Sequence, residues 1–89
     1  MSAAELAKPV LLELNNSGSW KTLGRFDAAD SEQASLVMDA AEDLVKTLNN
    51  GGPAKRCPTL RLRIDGVLTV LARWELDRGW FDVVTGESL

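Results

Sequence analysis

TLRLRIDGVLTVLARWEL, residues 59–76, is the stretch whose reading decides the fold. Leu60, Leu62 and Ile64 alternate with Thr59, Arg61 and Arg63, the two-residue period of a half-buried strand. Leu68, Val70, Ala72, Trp74 and Leu76 then alternate with Val67, Thr69, Leu71, Arg73 and Glu75. Between the two runs lies Asp65-Gly66, a hairpin signal, because Gly66 supplies a positive-φ position. A two-residue loop would place Arg61 and Arg63 on the face of Leu68, Val70 and Trp74. A three-residue loop, Ile64-Asp65-Gly66, instead gathers Leu60, Leu62, Leu68, Val70, Ala72 and Trp74. A one-residue slip exchanges the faces of a strand, and burying two unpaired arginines is costly. The three-residue loop is therefore expected, with the even-numbered face in the core. The other face holds Arg61, Arg63 and Arg73 beside Val67, Thr69 and Leu71.

Working outward, a second strand pair precedes this one. Val10–Leu14 and Trp20–Phe26 flank Asn15–Ser19, a turn by composition. Pairing Leu14 with Trp20 sets Glu13 opposite Lys21 and Leu11 opposite Leu23. Such pairs contribute ~0.2–1 kcal/mol each. The expected core face is Val10, Leu12, Leu14, Trp20 and Phe26, with Thr22 and Gly24 as small members. Leu11, Glu13, Lys21, Leu23 and Arg25 face the other way.

Between the pairs the pattern turns helical. Asp30 followed by Gln33 reads as an N-cap with a capping box. Ala34, Val37, Ala41, Leu44 and Leu48 form an apolar stripe that Met38 and Val45 widen, with Leu36 as a solvent-side exception. Asn49-Asn50-Gly51-Gly52-Pro53 stops the helix. After the hairpin, Trp80–Val84 reads as a last strand; Phe81 and Val83 inside with Trp80 at the rim gives the cleaner core, the alternative burying Trp80 and Val84 together with Asp82, which would need a partner.

The expected fold is α+β, in the order β-β-α-β-β-β. A mainly antiparallel five-stranded sheet in the order 2-1-3-4-5 carries one long helix on one face. Residues 1–8 read as a lead-in, 9–85 as a single domain and 86–89 as a tail. With 89 residues the chain buries roughly 60–65% of its unfolded surface, enough for one sheet and one helix.

Composition narrows the function classes. Histidine is absent, which removes Ser-His and Cys-His nucleophile systems and the commonest metal ligand. A lone cysteine, Cys57, permits neither an internal disulfide nor a multi-cysteine metal site, and it reads as a plain thiol despite Lys55 and Arg56. Asp39 and Asp43 share a helix face with a Glu42–Lys46 pair, which marks that face as solvated rather than catalytic. No cofactor, metal or enzymatic activity is expected. No run approaches membrane-spanning length and the N-terminus lacks a signal-peptide pattern, so a cytoplasmic protein without a membrane partner is expected. Net charge is −3, unevenly spread: six acids and no base lie between Asp27 and Asp43, five bases and no acid between Lys46 and Arg63.

The uncovered sheet face is the candidate site. Leu11, Leu23, Arg25, Arg61, Arg63, Val67, Leu71 and Arg73 are expected to share it. Arginines over small apolar residues are ordinary on a wet sheet. Four aliphatics among them point to a protein contact, most simply a two-fold homodimer through these faces, or another protein. The rival is nucleic acid, held by Lys55, Arg56, Arg61 and Arg63 with Trp80 stacking a base, against which stand the pI of 4.8 and the lack of tyrosine. A third reading, a small-ligand domain, has no residue that singles out a pocket.

Overall fold

The computed structural model describes residues 7–89. Its elements run β1 (Pro9–Asn16), β2 (Ser19–Asp27), α1 (Ser31–Asn49), a 3₁₀ turn (Ala54–Arg56), β3 (Thr59–Ile64), β4 (Val70–Glu75) and β5 (Gly79–Asp82). The strands form one antiparallel sheet in the order β2-β1-β3-β4-β5. Class, element order and sheet order are those expected from the sequence. Most of the expected lead-in, residues 1–6, lies outside the described residues.

The core forms where β1 and β3 pair at the centre, Leu12 opposite Leu62 and Leu14 opposite Leu60. Val10, Leu12, Phe26, Leu60, Leu62, Ala72, Trp74 and Trp80 meet Ala41 and Val45 of α1, with Cys57 also buried there. Asp30 caps the helix as expected, its Oδ1 accepting from the Gln33 N–H at 3.0 Å. Gln33 Oε1 accepts from Asp27 N–H at 3.4 Å and so ties the helix start to the end of β2. Asn50 in the left-handed region ends the helix.

Both hairpins depart from the expected register. The first turn is only Ser17-Gly18, both at positive φ, the geometry that suits a two-residue hairpin. It pairs Asn15 with Trp20 and Leu14 with Lys21, which sends Trp20 and Thr22 to the face away from the helix. Kept throughout, that parity would expose Phe26. A bulge at Leu23 restores it: Glu13 faces Thr22 while Leu12 faces Gly24, and Leu23 has no partner.

The second hairpin repeats the device. Val67–Thr69 lie in the turn rather than in a strand, and Leu68 is 88% exposed, not in the core. Arg63 faces Val70, so Val70 also lies away from the helix. A bulge at Leu71 then sets Leu62 opposite Ala72 and Leu60 opposite Trp74. Burial decides this register. Removing a tryptophan-sized area of roughly 200 Å² from water is worth about 5 kcal/mol, well above the ~0.2–1 kcal/mol of a cross-strand pair.

β5 also differs from expectation. Trp80 faces Trp74 on the helix side and is buried, its Nε1–H donating to the Met38 carbonyl at 3.2 Å. Phe81 faces Arg73 on the other side, beneath the Arg78 guanidinium at 3.6 Å. Asp82 ends the strand because its Oδ1 accepts from the N–H groups of Val84 and Thr85. Val83 and Val84 are therefore exposed rather than in a strand. On the helix, Leu44 and Leu48 were expected inside but are 47% and 64% exposed. The buried line runs through Ala34, Met38, Ala41 and Val45, one ridge away.

Candidate functional site

The face that α1 leaves uncovered is built on Glu13. Alternation along β1 points Glu13 away from the helix, and β3 brings Arg61 directly opposite it. Glu13 is nonetheless only 4% exposed, because both arginines of β3 fold over it. Arg61 Nε donates to Oε1 at 2.7 Å, Arg63 Nε to Oε1 at 3.0 Å and Arg63 Nη2 to Oε2 at 3.1 Å. Thr22 Oγ1 donates to Oε2 at 3.3 Å. Four donors fill the acceptor capacity of one carboxylate. The Arg63 hydrogen bond, opposed by burial and helped by Arg61, holds the carboxyl at about 2 against its ordinary 4.5. Arg63 is raised in return, chiefly through the same bond to Glu13.

Beside this cluster is a hollow of about 240 Å³ lined by Asn15, Trp20, Arg61, Val70, Arg73 and Val83. The Arg61 guanidinium lies 4.1 Å from the Trp20 ring centre and that of Arg73 lies 5.8 Å away. Cation–π attraction of this kind contributes about 0.5–1 kcal/mol at such half-open positions. Arg73 Nε is buried and has no hydrogen-bond partner among the described residues. The nearby carboxylate, Glu13, is already saturated. Arg73 thus has neither a partner for its Nε nor an ion pair among the described residues, and it stands next to an aromatic wall.

The residues expected on this face divide into three groups. Leu11 is there, half-buried between Arg25 and Arg63, as are Arg61, Arg63 and Arg73. Arg25 is there too, with Nε 2.6 Å from Asp65 Oδ2. Leu23 and Leu71 are the two unpaired bulge residues, and Leu71 lines a different, apolar hollow with Pro9, Val10, Ala28 and Ile64. Val67 sits in the turn, where its carbonyl accepts from Arg63 Nη1 at 2.6 Å. The premise that four aliphatics share one face is therefore corrected. What stands among the arginines is Trp20, Val70 and Leu11.

For the nucleic-acid reading, Lys55 and Arg56 are exposed on the 3₁₀ turn, but Trp80 is buried on the helix side and offers no ring for stacking. Cys57 is buried, which pushes its thiol pKa up and away from reactivity. Trp20, expected in the core, lines the hollow on the open face instead. The one local signal was Gly24, since a glycine inside a strand often marks a bulge.

Among the described residues, no three metal-ligating side chains converge, and no helix is long and apolar enough to cross a membrane. Compared with protein-family models, curated proteins and solved structures, the chain matches none.

Proposed function

We propose that this chain is a non-enzymatic interaction and assembly module that uses the open face of its sheet to hold an acidic protein surface. The observation that carries this reading is Arg73. Its half-buried guanidinium lies beside Trp20 with no ion pair among the described residues, while Arg61 and Arg63 consume the local carboxylate. A two-fold pairing of open faces, the form expected from sequence, would set these guanidiniums against each other with Glu13 unable to bridge them. Like charges across an interface are unfavourable. An acidic partner removes that penalty. A single buried thiol suits a reducing compartment, which supports a cytoplasmic location.

The test is an NMR titration of the labelled chain with a decapeptide alternating leucine and glutamate, against its leucine and lysine counterpart. The acidic peptide is expected to move the Trp20 indole and Arg73 Nε–H signals, and the basic one is not. Equal response to both, or none to either, rejects the reading. A single-stranded oligonucleotide that moves these signals when the acidic peptide does not would assign the face to nucleic acid.

A further inference from the structure

The Glu13 carboxylate of the open face is saturated by Arg61 and Arg63, which leaves Arg73 without an ion pair among the described residues, and the opposite side of the same molecule displays several carboxylates. Leu36, Ala40, Leu44 and Leu48 recur every four residues and form one exposed ridge on α1, with Leu36 65% exposed. They span about 18 Å of the helix at ~1.5 Å per residue. Asp39 and Asp43 flank the ridge and form no ion pair among the described residues, whereas Glu42 is paired with Lys46. The sheet face carries Arg25, Arg61, Arg63 and Arg73 against Glu13, Glu75 and the Asp65 that pairs with Arg25, an excess of one positive charge. Sign and texture are thus complementary: an apolar ridge with unpaired acids on one side, apolar residues with the unpaired Arg73 on the other.

We infer that the acidic surface received by the open face is the outer face of α1 of a second copy, so that copies associate head to tail. This rests on the reading of the open face as a protein-contact surface. The two surfaces lie on opposite sides of the sheet, so one chain cannot join its own. Dimensions agree: five strands ~4.8 Å apart span about 19 Å between outer strands, close to the length of the ridge. Joining unlike faces gives a contact that does not close at two copies, so chains or rings form. One helix face is smaller than the ~800 Å² per partner of a typical stable interface, so association is expected in the micromolar range.

Light scattering behind a sizing column, from 10 µM to 1 mM (roughly spanning the affinity expected of a sub-standard interface), tests this with three variants checked for native circular dichroism. Wild type is expected to exceed the mass of a dimer as concentration rises. Arg73→Glu and the double variant Leu36→Glu, Leu44→Glu are each expected to remain monomeric. Mixing them is expected to give a 1:1 pair that grows no further, because one intact sheet face meets one intact helix. Asp39→Lys with Asp43→Lys, wholly on the exposed helix surface, keeps the test alive if Arg73→Glu does not fold. It too is expected to remain monomeric. A wild-type dimer that stops at two copies and survives the helix variants would overturn the inference in favour of sheet-to-sheet pairing. A strict monomer at 1 mM would also overturn it, while a positive peptide titration would leave the open-face reading standing.

Discussion

Glu13 is the residue on which the open face depends. Its carboxylate neutralises two guanidiniums, and a stability term follows from its depressed pKa. The group is ionised in the folded state down to about 2 but protonates near 4.5 when unfolded. Its contribution is therefore complete above about 4.5 and is lost as pH falls toward 2. Urea unfolding of Glu13→Gln near neutral pH is expected to show a loss of about 2–3 kcal/mol, since Arg61 and Arg63 keep partial access to water. Compared at pH 2, wild type and variant should differ by much less. An equal gap at both pH values would mean that packing, not charge, holds Glu13 in place. At Cys57 burial acts without such a partner, and it raises the thiol pKa.

The helix and the strands differ in how far local chemistry defines them. Asp30 and Asn49–Gly52 mark the ends of α1 through capping groups that act within a few residues, so both ends were legible in the sequence. Asp30→Ala is expected to lower stability by about 1 kcal/mol, seen as a Tm several degrees lower by circular dichroism. An unchanged Tm would show that the Gln33 tether to Asp27 suffices. Strand order was legible for a similar reason, because short turns join neighbours. Register was not. Each hairpin has a turn that dictates one parity and a core residue that requires the other, Phe26 in the first and Trp74 in the second. Leu23 and Leu71 absorb the conflict. Alternation read on one strand cannot reveal a residue that steps out of it, and so Trp20 and Val70 lie on the face opposite to the one that alternation predicts. Leu44 and Leu48 are exposed because the helix stripe spans two adjacent ridges, and only the line through Ala41 and Val45 reaches the sheet.

At the scale of the molecule, the chain covers one edge of its own sheet. Beyond β5 the chain turns back: Asp82 N–H donates to the Glu87 carbonyl at 2.8 Å and Leu89 N–H to the Trp80 carbonyl at 3.1 Å. This return covers an edge that would otherwise offer free backbone groups to other chains. Leu89→Pro removes one donor and is expected to cost about 1 kcal/mol. Faster amide exchange within Gly79–Asp82, with β1 and β3 unchanged, is the signature to look for; uniform acceleration would point to global destabilisation instead. The three tryptophans give the molecule a further property. With no tyrosine in the chain, its ultraviolet emission comes from Trp20, Trp74 and Trp80. Trp74 is sealed in the core, Trp80 is bonded to the helix, and Trp20 lies under arginine on the open face. Intrinsic fluorescence therefore separates two events without any label. Occupation of the face alters one fluorophore, whereas loss of the core alters all three.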